Sequence, residues 1–209
     1  MTLSKDPINL IITGVGGQGN ILASQLTATA AIEEGFFASI GETYGASQRG
    51  GSVMSHVRFS RELQYGPLIP EGEADFILGF EPLETLRRLV EFGHDNTTVI
   101  FNPRPNYPIS VLTGAAAYPE IDGMFGDIRD LAATAKVVAA TELAKELGTI
   151  VAMNVVMVGA LAASELLPIP VETFKKAIAN IFADSEKKLQ FNMAAFELGI
   201  RGYQEAKPL

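Results

Sequence analysis

The sequence predicts an α/β fold: a Rossmann-like layered domain with a mainly parallel sheet and a helical C-terminal region. Three observations predict it. Short apolar runs alternate with helical stretches as far as Gly148. A glycine-rich turn, Gly14-Val15-Gly16-Gly17-Gln18-Gly19-Asn20, separates the first apolar run from the first helix. From Thr149 to Glu205 three helical segments follow, with no convincing strand. A chain of 209 residues suits one α/β domain, read here as a single unit over 1–209 with its helical region at about 149–206. Hydrophobic residues make up 47% and charged residues 19%, which supports a sizeable core and argues against disorder.

The elements follow in order. The first strand is the apolar run Ile8–Thr13, and the first helix covers roughly Asn20–Glu34, stopped by Gly35. Phe36–Ile40 reads as a second strand and Gly41–Gly51 as a polar, glycine-bearing loop. Ser52–Ser60 alternates, with Val53, Val57 and Phe59 on one face and Met54, His56 and Arg58 on the other. That period fits a strand with one apolar face. Ala74–Phe80 reads as a buried strand. Glu81-Pro82-Leu83-Glu84 opens a helix, with proline and acids in its first turn as the helix dipole favours, and the helix ends near Gly93. Thr97–Asn102 is a further strand. The prolines of Asn102–Pro108 exclude regular structure there, because they lack donors and restrict their neighbours. Lys136–Ala140 is a short strand and Thr141–Gly148 a short helix, and Pro168 and Pro170 separate the first two C-terminal helices.

Composition excludes several classes of function. A net charge of −8 repels a nucleic-acid backbone, so no nucleic-acid partner is expected. With no cysteine there is no disulfide, no thiolate catalysis and no cysteine-ligated iron–sulfur cluster in this chain. His56 and His94 stand far apart in sequence, so no metal site is expected. The N-terminus lacks the basic region and long apolar core of a signal peptide. Ile150–Leu167 is the most apolar stretch, but Asn154, Ser164 and Glu165 keep it short of a membrane span. A cytoplasmic protein is expected, with that stretch as a buried or interface helix.

Two constellations carry chemistry. The glycine turn has the G-x-G-x-x-G spacing where a strand becomes a helix. Glycines there let the backbone approach a ligand, and the free N–H groups of the helix point at an anion. The other reading is that they let the first helix pack closely on the first strand. Gly14, Gly16, Gly17, Gln18 and Gly19 are therefore candidate binding residues. The loop Gly41–Ser52 offers hydroxyls, an amide and one guanidinium, in Ser47, Gln48, Arg49, Gly50, Gly51 and Ser52. It suits a phosphate or carboxylate, with Arg49 the strongest contributor, or a subunit contact. If the first two strands are parallel neighbours, this loop shares a sheet edge with the glycine turn. Glu42, about 20 residues past the glycines, is where an NAD enzyme holds its ribose. His56 is a general base or, more simply, a hydrogen-bonded structural histidine. Asn154, in an apolar helix, needs a partner in another helix, an interface or a ligand. Glu81 caps its helix or joins the sheet-edge cleft, and Arg87-Arg88 forms a solvated face.

Gly14–Gly19, Ser47-Gln48-Arg49-Gly50-Gly51-Ser52-Val53 and Ser55-His56-Val57-Arg58 resemble the gamma domain of 2-oxoacid:ferredoxin oxidoreductases. Pro67–Pro70, Ala74-Asp75, Glu81–Glu84, and Asn154 with Gly159-Ala160-Leu161 extend the match, which runs from Ile8 to about Tyr203. Among the branches, the chain is most similar to the small (beta) subunit of indolepyruvate ferredoxin oxidoreductases. The resemblance implies a Rossmann-like subunit of a cytoplasmic hetero-oligomer. Such an enzyme oxidatively decarboxylates a 2-oxo acid on thiamine diphosphate, forms an acyl-coenzyme A and sends electrons through iron–sulfur clusters to ferredoxin. This chain lacks cluster cysteines and the Gly-Asp-Gly and Asn-Asn elements of a thiamine diphosphate site. Those cofactors are expected on partner subunits, and no catalytic residue carries over. Coenzyme A contact at the two loops, and a dimer of this chain, are further expectations. The rival readings are an autonomous NAD(P)-dependent oxidoreductase and a nucleotide-sensing or assembly module.

Overall fold

The computed structural model describes residues 5–42 and 49–209. Its element order is β1 (Ile8–Val15), α1 (Asn20–Glu33), β2 (Phe37–Glu42), β3 (Ser52–Ser60), β4 (Phe76–Gly79), α2 (Pro82–Phe92), β5 (Thr98–Phe101), α3 (Ile109–Leu112), α4 (Ile121–Leu131), β6 (Thr134–Val137), α5 (Ala140–Lys145), α6 (Met153–Ala163), α7 (Val171–Ile181) and α8 (Glu186–Glu205). A single 3₁₀ turn, Ile150–Ala152, leads into α6.

The six strands form one sheet in the order β2-β3-β1-β4-β5-β6. β1, β4, β5 and β6 pair in parallel, whereas β3 runs antiparallel to both β1 and β2. The fold class is therefore as the sequence predicts, but β1 and β2 are not neighbours. The physical reason is the length of the 43–51 connection. A parallel crossover takes about a dozen residues or more, so this link returns β3 antiparallel beside β2. β3 then sits between β2 and β1, with Val15 opposite Ser52. The glycine turn and the end of the 41–52 loop reach the same sheet edge by this different route.

Both faces of the sheet are covered. Leu10 and Ile12 of β1 pack under α1, α6, α7 and α8, while Ile11 faces the core of α2 and α4. Burial on both sides is why these strands read as unbroken apolar runs. The alternation of β3 holds, but its polar face is largely covered rather than solvated: His56 is 5% exposed, and Met54 and Arg58 are half-buried. Apart from Asn154, helix α6 is apolar all round, and it is enclosed from Met153 to Ala162. It crosses α8 closely, since a Cβ at Gly159 would overlap the Phe196 carbonyl and one at Gly199 the Val156 carbonyl. Ile150 and Val151, just before α6, are exposed. The expected burial of Ile150–Leu167 therefore begins only after Val151. Among the described residues no helix is long and apolar enough to cross a membrane.

Candidate functional site

The carboxyl ends of the parallel strands carry the candidate site. β1 leads to α1 on one face of the sheet and β4 leads to α2 on the other. That divergence opens a crevice where α/β proteins commonly bind ligands. Here the crevice is bridged by Gln18. Its Oε1 accepts from the Val15 N–H at 2.7 Å, and its Nε2 donates to the Phe80 carbonyl at 3.2 Å. Gly14 serves this plug, because a Cβ there would lie 2.6 Å from Gln18 Oε1 and 3.0 Å from Phe80 Cβ. Gly19 serves a second contact. Asn154 at the start of α6 donates from Nδ2 to the Gly19 carbonyl at 3.3 Å, and a Cβ on Gly19 would overlap that amide. Asn154 also accepts from the Val155 N–H at 2.9 Å. The glycine pattern thus divides: Gly14 and Gly19 permit packing, a Cβ on Gly17 would meet nothing within 4 Å, and Gly16 and Gly17 line open clefts.

Two clefts flank Gly16 and Gly17. The first, about 340 Å³, is closed by Gln18, by Arg104 and Asn106 after β5, by Thr141 at the start of α5, and by Ile150, Val151 and Met153. The second, about 300 Å³, is lined also by Gly19, Asn20, Ile21, Glu42 and Val53. Arg104, Asn106 and Thr141 were missed in the sequence reading. The available signal was positional, since Arg104 follows a parallel strand and so belongs at the same sheet edge as the glycine turn.

Ser47 and Gln48 lie outside the described residues. The end of their loop is joined to the glycine turn. The Gly16 N–H donates to the Gly51 carbonyl at 2.8 Å and the Gly50 N–H to the Gly16 carbonyl at 3.2 Å. The Ile109 N–H caps the Gly50 carbonyl at 2.9 Å. Arg49 is exposed and lines neither cleft. The Ser52 hydroxyl is committed to the Glu84 carboxylate, whose other oxygen accepts from Arg87 Nη1 at 2.6 Å. Glu84 is fully buried, so Arg87 neutralises a buried charge and is more than a solvated residue. Arg88 also departs from that reading, pairing with Glu91 and contacting Met54 Sδ.

Glu42 has both oxygens engaged, by the Ser24 hydroxyl at 2.5 Å and the Ser55 hydroxyl at 2.6 Å. Each oxygen thus already serves a hydrogen bond within the fold. Glu81 is wholly buried and caps α2 by accepting from the Glu84 N–H, while its other oxygen accepts from the Tyr118 hydroxyl at 2.8 Å. Burial raises the Glu81 carboxyl above its ordinary range, and burial, with Glu81 beside it, raises the Tyr118 hydroxyl. His56 is structural: Nδ1 accepts from the Ile69 N–H at 3.2 Å and the ring meets Phe92 edge-on. Burial lowers its pKa, so the ring is neutral near pH 7. Among the described residues no group of three or more His, Cys, Asp or Glu is placed to hold a metal.

Known proteins match this arrangement along nearly the whole chain. Residues 9–202 match the family described as pyruvate ferredoxin/flavodoxin oxidoreductase. The indolepyruvate oxidoreductase subunit IorB of Thermococcus kodakarensis is 40% identical over 94% of this chain and 96% of its own. The subunit of the same name in Archaeoglobus fulgidus is 38% identical over 96% and 98%. Among solved structures, the 2-oxoglutarate:ferredoxin oxidoreductase of Magnetococcus marinus, with 2-oxoglutarate, coenzyme A and succinyl-CoA bound, has the same fold at a TM-score of 0.73 and 24% identity. The match covers 96% of this chain and only 32% of that one, so there the fold is one part of a longer polypeptide. By a full-length family match and relatives at this identity, the chain belongs to the pyruvate ferredoxin/flavodoxin oxidoreductase family.

Proposed function

We propose that this chain is the non-catalytic subunit of a 2-oxoacid:ferredoxin oxidoreductase of the indolepyruvate type, inactive in isolation. The observation that carries the reading is the near end-to-end match to subunits named for indolepyruvate oxidoreductase. In this reading residues 1–209 form one gamma-type domain, with the helical region at about 149–206. Partner subunits in the cytoplasm hold thiamine diphosphate and the iron–sulfur clusters and pass electrons to ferredoxin. The absence of cysteine agrees with clusters held elsewhere.

This chain contributes a wall of the cleft that receives coenzyme A. Gly16, Gly17 and Gln18 form the floor, and the backbone of Gly50 and Gly51 braces it. Arg49, together with Ser47 and Gln48, contacts the ligand or the partner from the loop, whereas the Ser52 hydroxyl serves to hold that loop. Exposed Tyr107, Ile109, Leu112, Ile150 and Val151 belong to segments at this same end of the molecule and supply the apolar surface that the catalytic chain covers. The NAD(P) reading is weaker, because Glu42 is tied to two serines and β3 separates β1 from β2.

Anaerobic native purification of the tagged chain from its source, with mass spectrometry of what it retains, tests the proposal. A large partner carrying thiamine diphosphate and iron–sulfur clusters is expected. A chain that emerges alone from repeated gentle preparations would overturn it.

A further inference from the structure

A third cavity lies at the other end of the fold from the glycine turn. Helix α1 begins at that turn and ends at Glu33, about 20 Å away along its axis. There the end of α1, the residue after β3 and the link between α6 and α7 surround a cavity of about 650 Å³. Its walls are apolar, from Ala162, Leu167, Ile169 and Val171 and the two prolines of the link. Its charged groups are Glu34, Arg61 and Glu165.

These three charges line one cavity without pairing with one another. Arg61 Nη1 donates to the Glu34 backbone carbonyl, and the guanidinium lies 3.8 Å from the centre of the ring of buried Phe36. Among the described residues its Nε and Nη2 have no acceptor, and no carboxylate reaches it. Glu34 is held through Oε1, which accepts from the hydroxyl of buried Thr173. Its Oε2 and the carboxylate of Glu165 have no donor among the described residues. The carboxyl ends of α1 and α6 add the negative poles of two helix dipoles, and neither helix has a basic residue in its last turn.

A simple anion in this cavity would meet two carboxylates, and a simple cation would meet Arg61. A molecule carrying both charges a bond or two apart satisfies all three groups, and the apolar walls select its remaining part. We propose that the cavity binds a free α-amino acid with a large apolar side chain. The Nε and Nη2 edge of Arg61 receives the carboxylate, since a guanidinium fork matches that group. Glu34 Oε2 receives the ammonium, with Glu165 beside it at the rim. The side chain lies against Leu167 and Ile169. The volume is in the range of small-molecule sites.

Calorimetric titration of the full chain with L-phenylalanine tests the proposal. The comparison ligands are N-acetyl-L-phenylalanine, which lacks the ammonium, L-phenylalaninamide, which lacks the carboxylate, and L-alanine, which lacks the large side chain. L-phenylalanine should bind, and each of the other three should lose about ten-fold or more in affinity, because each leaves a charged or apolar partner unmatched. Glu34→Gln, which keeps an acceptor for Thr173, should lose about ten-fold or more for L-phenylalanine, and Arg61→Lys several-fold. Arg104→Ala, at the glycine-turn end, should match wild type. Circular dichroism melts check that each variant is folded, and Glu34→Gln decides the matter if Arg61→Lys is not.

No binding of L-phenylalanine at about 10 mM would overturn the proposal. So would equal affinity for the acetylated or amidated ligand, since only one charge would then be read. Affinity lost in Arg104→Ala but kept in Glu34→Gln would place the ligand in the other cleft and overturn it as well.

Discussion

Gly199→Val is expected to destabilise the protein by about 3 kcal/mol or more, the upper range for overpacking a closed interior. At Gly199 the added atoms meet backbone, the Val156 carbonyl and the Ala160 nitrogen of α6, rather than a side chain that can swing aside. Helices α6 and α8 would have to separate, and α6 carries Asn154, which holds the Gly19 carbonyl. Damage at this crossing should therefore spread to the glycine turn. Gly126, inside α4, has open space where its Cβ would be, so Gly126→Ala should stabilise by about 0.5–1 kcal/mol through helix propensity alone. Urea unfolding of the two variants checks both signs. A Gly199→Val protein within about 1 kcal/mol of wild type would show that the helices do not meet as described.

Arg87→Ala should cost about 2 kcal/mol. The substitution strands the Glu84 carboxylate, fully buried, with the Ser52 hydroxyl as its remaining side-chain donor among the described residues. Losing one partner of a fully buried pair costs about 3–5 kcal/mol, and the smaller figure here allows for Arg87 being 45% exposed. Ser52 begins β3 and ends the loop that braces the glycine turn, so the loop should loosen as well. The double variant Arg87→Ala/Glu84→Gln should recover part of the loss, because the amide carries no charge to strand. A single variant as stable as wild type, or a double variant no better than the single, would count against the account.

Much of the fold is legible in the sequence because its cues are local. The run Ile8–Thr13 followed by glycines marks β1 and the turn into α1. Glu81 and Pro82 mark the start of α2, and Glu81 does cap it. Helix α4 left no such mark: Gly123 and Gly126 weaken the helical signal, and only Met124 and Ile128 are buried along it. The insertion of β3 between β2 and β1 depends on pairing with the distant β1, which periodicity does not encode. The candidate site divides in the same way. Gly16, Gly17 and Gln18 are found by spacing. Spacing does not say what a glycine lets approach, and at Gly14 and Gly19 the neighbours are Gln18 and Asn154 rather than a ligand. Arg104 and Thr141 join the cleft only through the sheet order β1-β4-β5-β6, which carries loops from separate parts of the chain to one edge.

Reconstitution tests the central claim most directly. The catalytic partner would be assayed anaerobically for reduction of ferredoxin driven by indolepyruvate and coenzyme A, with and without this chain. The account predicts that neither component is active alone and that mixing them restores turnover. A partner fully active without this chain, or an isolated chain that oxidises the 2-oxo acid itself, would contradict it.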